Sequence, residues 1–107
     1  MALRTITTDL CFAEGPRWYD GALWFSDMHD HVVCRIDADG RKTVVAEVPQ
    51  QPSGLGWLPD GRLLIVSMRD RSILVQNAHG LELWCDLSPL AKHDCNDMVV
   101  DALGRCW

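Results

Sequence analysis

The chain repeats itself. The octet Asp20-Gly21-Ala22-Leu23-Trp24-Phe25-Ser26-Asp27 returns as Asp60-Gly61-Arg62-Leu63-Leu64-Ile65-Val66-Ser67, and a third copy opens as Leu103-Gly104-Arg105-Cys106-Trp107. The turn glycines Gly21, Gly61 and Gly104 stand 40 and then 43 residues apart. Repeats of roughly 20–50 residues belong to solenoids, propellers and arrays, where each unit buries its apolar face only against its neighbours. The third unit stops after Arg105-Cys106-Trp107, so the sequence reads as the N-terminal part of a larger repeat protein.

Within each unit the apolar runs are short and bounded by turn residues. Ala22-Leu23-Trp24-Phe25 follows Asp20-Gly21, the alternating run Val32 to Ile36 precedes Asp39-Gly40, and Thr43 to Val48 is closed by Pro49. The second unit repeats the order with Arg62 to Ser67, Ser72 to Asn77 and Leu81 to Asp86. A further short strand precedes each turn glycine, at Gly15 to Tyr19, Leu55 to Leu58 and Met98 to Val100. Strands of this length joined by Asp-Gly turns are the mark of antiparallel hairpins. Four such strands per repeat make a β-propeller blade. Helical periodicity is confined to a single turn over residues 87–92. An eight-stranded β-sandwich is the competing arrangement, but it gives no reason for the glycine-anchored pattern to return at the same place. The expectation is an all-β, partial β-propeller domain over residues 1–107. It holds one blade over 13–53, a second over 54–95 and the start of a third over 96–107.

The formal net charge of -5 and the scattered Lys and Arg leave no basic patch for nucleic acid. No apolar run approaches the roughly 18 residues of a membrane span, and no signal peptide is visible. The five cysteines, Cys11, Cys34, Cys85, Cys95 and Cys106, show neither a Cys-x-x-Cys pair nor zinc-ligand spacing. They read as free thiols in a cytoplasmic, reducing compartment. Two blades and a fragment cannot close a ring, so exposed blade faces are expected to favour self-association.

In a propeller the first strand of each blade lines the central channel, and its N-terminal end opens on one mouth. Counting back seven residues from each turn glycine gives Glu14, Gly54 and Asp97, with Asn96 beside the last. A hard cation gathers six to eight oxygen ligands from carboxylates, amides and carbonyls, which is the chemistry of Glu14 and of Asn96 or Asp97. Carboxylates at strand starts also accept turn N–H groups, and that reading stands beside the metal one. His29 and His31 offer two imidazoles in an inter-strand loop, where solvated side chains are the simpler reading. Ser53 and Ser67 lack the Gly-x-Ser-x-Gly context of a serine hydrolase. Trp24, Leu64 and Trp107 share a repeat position and point to blade packing.

The motif Phe12-Ala13-Glu14-Gly15-Pro16-Arg17-Trp18, followed by Leu23-Trp24-Phe25-Ser26-Asp27, resembles the opening of the regucalcin (senescence marker protein), gluconolactonase and luciferin-regenerating-enzyme family. Pro52-Ser53-Gly54-Leu55-Gly56 with Pro59-Asp60-Gly61-Arg62-Leu63-Leu64 is similar to its second blade, and Asn96-Asp97-Met98-Val99-Val100-Asp101 to the start of its third. The resemblance implies a six-bladed propeller, a divalent metal on the channel axis (calcium foremost; zinc, magnesium or manganese as alternatives) and hydrolysis of lactones and related cyclic esters. It implies Glu14 as a metal ligand and Asn96 as a substrate contact. No catalytic residue of the family falls within this chain: the acid/base aspartate is expected beyond Trp107, so the chain alone is expected to be inactive. A small-molecule lactone or ester is the expected partner. One departure stands out: Asp94 occupies the place where regucalcin-like members carry a substrate-binding arginine, so sugar-acid lactones are no better supported than other esters. The competing functional reading is a non-catalytic propeller module that binds a metal or ligand.

Overall fold

The computed structural model describes residues 2–107. Eight strands form two four-stranded antiparallel sheets in simple meander order. The first contains β1 (Ala13–Tyr19), β2 (Ala22–Asp27), β3 (Val32–Ile36) and β4 (Lys42–Glu47). The second contains β5 (Pro52–Trp57), β6 (Leu63–Ser67), β7 (Ser72–Asn77) and β8 (Gly80–Asp86). A 3-10 turn over Met28–Asp30 joins β2 to β3. Residues after β8 make one helical turn, with the Ala91 amide donating to the Leu87 carbonyl at 2.8 Å. The chain then opens a third hairpin: Val99 and Trp107 exchange backbone hydrogen bonds at 3.0 and 2.8 Å, and Val100 bridges Cys106.

The sheets stack through β1, β2 and β5, as blades do. β6 is buried along its whole length because it lies between its own sheet neighbours and the packing on both faces. The inter-blade core is Ala22, Trp24, Val33, Val48, Leu55, Leu63 and Ile65. At its turn end Tyr19 stacks on Trp57 at 4.1 Å and Trp24 meets Trp57 edge-on at 5.3 Å. The Trp24 indole N–H donates to the Tyr19 carbonyl at 2.9 Å, so this large side chain is buried without leaving its polar atom unmatched.

Each outer face of this pair is covered in part by the chain's own flanking segments. Phe25, Cys34 and Ile36 are buried under a contact with Leu10. Leu64, Val66, Ile73 and Val75 pack with Met98, Leu87 and Val100. Trp18, Val99, Leu103 and Trp107 stay exposed.

Turn chemistry sets the repeat register. Between β1 and β2 the loop has two residues: Tyr19 pairs with Ala22, and Asp20 and Gly21 both have positive φ, +49° and +72°. That is a type I′ hairpin. Between β5 and β6 the loop has three residues, Pro59-Asp60-Gly61. Leu58 donates to the Arg62 carbonyl, Gly61 donates to the Leu58 carbonyl, and Gly61 (φ +89°) carries the left-handed backbone. The third hairpin repeats this longer loop, from Asp101 to Arg105. The partners of Trp24, Leu64 and Trp107 are therefore Arg17, Gly56 and Val99. Stepping back from these, the residues in equivalent positions are Glu14, Ser53 and Asn96. Counting from the glycines overshoots to Gly54 and Asp97 by one residue, because a turn glycine closes loops of two lengths.

Candidate site at the channel mouth

The three equivalent side chains meet. Ser53 Oγ lies 2.7 Å from the Asn96 amide oxygen position and 3.3 Å from Glu14 Oε2. Three successive blade starts thus deliver a carboxylate, a hydroxyl and an amide to one place. Ser53 is buried, Glu14 half-buried and Asn96 exposed, so the cluster opens towards solvent from a buried floor.

The backbone beneath is held tightly. β1 bulges between Glu14 and Arg17, and Gly15 takes φ +60° there. A β-carbon on Gly15 would lie 3.0 Å from the Ser53 carbonyl oxygen. Glycine at this point supplies both the left-handed turn and the close approach that presents Glu14. Buried Ser26, opposite Glu14 on β2, donates its hydroxyl to the Ser53 carbonyl at 2.6 Å. On the other side the Gly54 amide donates to the Asn96 carbonyl at 3.0 Å. A β-carbon on Gly54 would lie 2.6 Å from Asp97 Oδ1 and 2.8 Å from the Met98 nitrogen. The glycine therefore lets the third blade start close against β5.

Asp97 does not join the oxygen cluster. Its Oδ1 accepts the Met98 amide at 2.8 Å and the Arg17 guanidinium at 2.7 Å. Arg17 spans from the first blade to the third and balances one of the carboxylates at this mouth. Asp27 has a structural post: it is buried, and it accepts the Cys11 and Phe12 amides at 3.0 and 2.6 Å, pinning the segment before β1. Ser26, Asp27 and Arg17 carry no mark of these roles in the sequence, and Ser53 stands there as part of the Pro52-Ser53-Gly54 motif and as a serine without a hydrolase context. The available signal was the paired position of Ser53 and Glu14 in their hairpins, which needs the loop lengths first.

The two loop imidazoles go separate ways. The His31 ring Nδ1 is 2.9 Å from the Pro49 carbonyl, and His29 stacks on Phe12 at 5.0 Å. Among the described residues no group of three or more His, Cys, Asp or Glu side chains is arranged to hold a metal ion. Glu14, Ser53 and Asn96 still fit a hard cation in donor type, because all three carry oxygen. Asp94 lines a cavity of about 530 Å³ with Asn96, Asp97, Met98 and Trp84, between the second sheet and the third hairpin. All five cysteines are free thiols, and burial pushes those of Cys34 and Cys106 above the usual range. No helix of the described chain is long and apolar enough to cross a membrane.

Two stacked four-stranded meanders with a third begun define a β-propeller whose blade starts gather oxygen donors at one mouth. The chain belongs to the SMP-30/gluconolactonase/LRE-like family, whose profile matches residues 12–107. It is similar to the solved structure of a gluconolactonase from Xanthomonas campestris, with 23% identity and a TM-score of 0.79 over 96% of this chain and 36% of the other. It is also similar to virginiamycin B lyase from Staphylococcus aureus, with 19% identity and a TM-score of 0.72 over 89% and 33%. At these identities the likeness is one of fold. The chain spans about a third of the length of both proteins. No curated protein matches it by sequence.

Proposed function

We propose that this chain supplies the first part of the active-site mouth of a metal-dependent lactonase that opens cyclic esters by hydrolysis. The observation that carries the reading is the convergence of Glu14, Ser53 and Asn96 from three consecutive blade starts, with Ser53 Oγ 2.7 and 3.3 Å from its two neighbours. Family membership and the fold of the gluconolactonase relative support the same chemistry.

Glu14 would hold the divalent cation, calcium being matched by an all-oxygen donor set. When bound, the ion supplies polarisation of the ester carbonyl and charge to offset the developing oxyanion. Asn96, exposed at the rim, would hydrogen-bond and orient the substrate. The Arg17–Asp97 pair keeps the third blade start in place beside it. Asp94 puts a carboxylate near the rim in place of a cation. An acceptor there favours substrates offering hydroxyl donors and disfavours anionic ones. The water-activating base lies outside this chain in the proposed scheme, so the 107-residue chain alone does not turn over lactones.

Two measurements test this. Hydrolysis of a lactone panel by a complete propeller carrying this chain should require calcium and fall at least about a hundredfold in Glu14→Gln, within the usual range for a lost electrostatic stabiliser. Unchanged hydrolysis in that variant removes Glu14 from the site. The isolated chain should show no calcium-dependent rise in Tm; a clear rise at millimolar calcium would mean that these residues suffice as a metal site.

A further inference from the structure

We infer that Ser53 is a positioning residue that sets which end of the Asn96 amide is free. Ser53 is 1% exposed and its backbone is fixed on both sides, by the Ser26 hydroxyl on its carbonyl at 2.6 Å and by the Gly54 amide bound to the Asn96 carbonyl at 3.0 Å. Its Oγ therefore has a set place between Glu14 Oε2 and the Asn96 amide. A hydroxyl has one proton. With the Asn96 oxygen towards Ser53, that proton must serve two acceptors, and one of the two contacts becomes oxygen against oxygen.

Turning the amide by 180° changes its outline very little but resolves the conflict. The Asn96 Nδ2–H then donates to Ser53 Oγ, and the Ser53 hydroxyl turns its proton towards the Glu14 carboxylate 3.3 Å away. Every contact in the cluster then contains one proton. The relay runs from the third blade through the second to the first. It leaves the Asn96 carbonyl oxygen as the free end of an exposed side chain. Asn96 thus meets its ligand as an oxygen acceptor rather than as an N–H donor. Only the identity of that ligand rests on the lactonase reading; the relay itself does not.

The test is the side-chain amide of Asn96 in solution. The chain has two asparagines, so Asn77 serves as the internal reference. In the wild-type chain, one Asn96 Nδ2 proton should exchange with water about three- to tenfold more slowly than those of Asn77, the factor expected of one net hydrogen bond. In Ser53→Ala that protection should vanish. In Glu14→Gln it should persist, because glutamine retains an oxygen that can accept the Ser53 proton. Equal exchange of both Asn96 protons at the Asn77 rate in the wild type overturns the inference without any variant. Protection that survives in Ser53→Ala overturns it as well. Failure of lactone hydrolysis would leave these outcomes untouched.

Discussion

Replacing Gly54 by alanine isolates the close approach on which the mouth depends. Gly54 has no left-handed backbone, so alanine brings no φ penalty there. The new methyl would lie 2.6 Å from Asp97 Oδ1, 2.8 Å from the Met98 nitrogen and 2.9 Å from the Asp97 α-carbon. Two of these neighbours are backbone atoms, so the third blade start must move. Overpacking of this kind costs about 1–3 kcal/mol. Removing a glycine stiffens the unfolded chain and returns about 0.4–1 kcal/mol. The midpoints leave a net loss of about 1.3 kcal/mol, or a fall in Tm of roughly 5–10 °C for a domain of this size. Gly21→Ala is the control for backbone alone, because φ is +72° there and nothing lies within 4 Å of the added carbon. Gly15→Ala combines both penalties, with φ +60° and a 3.0 Å approach to the Ser53 carbonyl, and should be the most damaging of the three. Thermal unfolding followed by circular dichroism gives the order directly. A Gly54→Ala protein as stable as the parent, with the Asn96 and Asp97 resonances unmoved, would refute the claim that this glycine seats the third blade.

Asp27→Ala should free the segment before β1. A buried carboxylate accepting two amides loses roughly 1.5–3 kcal/mol per bond, and hydrogen exchange at Cys11 and Phe12 should quicken at least about tenfold. Unchanged protection there would remove Asp27 as the anchor. The Arg17–Asp97 pair has side chains 29% and 60% exposed, so a double-mutant cycle with Arg17→Met and Asp97→Asn should give a coupling below about 1 kcal/mol, weaker still in roughly 1 M salt. A larger, salt-insensitive coupling would contradict a solvent-screened pair. Asp60 and Asp101 are held below the ordinary carboxylate value of 3.8, chiefly by the backbone N–H groups of Arg62 and Arg105. The folded state therefore binds fewer protons than the unfolded one. Their contribution is complete above the ordinary value and is lost as pH falls through the lower folded values. Urea midpoints taken at falling pH should drop less steeply in the Asp60→Asn, Asp101→Asn double variant, and an identical slope would argue against the turn bonds.

Architecture was readable because period-2 patterning and turn residues are local signals. Leu63 to Ser67 reads as a strand from its own letters, and its complete burial follows from sitting inside a blade that packs on both faces. Glu14 and Asn96 were readable as neighbours for a different reason: resemblance named them, and the repeat brought them near each other. Asp27, Ser26 and Arg17 were not readable. Each acts across a long stretch of sequence on a backbone atom or a charge whose position only the stacked sheets define. Asp27 reaches back 16 residues to Cys11, and Arg17 reaches forward 80 to Asp97.

Ser53 shows where local reading stops. Asp20-Gly21 and Asp60-Gly61 look alike, yet the first is a two-residue turn with both φ values positive and the second the end of a three-residue turn with only its glycine left-handed. One extra loop residue shifts everything upstream by one place. In a strand that shift exchanges the faces, so Gly54 and Ser53 trade roles between wall and channel mouth. The proline at position 59 is the physical cue. In a copy of the first loop Pro59 would pair with Arg62 as Tyr19 pairs with Ala22, but proline has no N–H to donate to that partner, so Leu58 takes the pairing and the loop grows by one residue. Counting from the strand partners of Trp24, Leu64 and Trp107 instead of from the glycines recovers Glu14, Ser53 and Asn96. Those are the three side chains that touch. The repeat therefore does locate this side-chain cluster, provided its ruler is anchored on the paired strands rather than on the turns that join them.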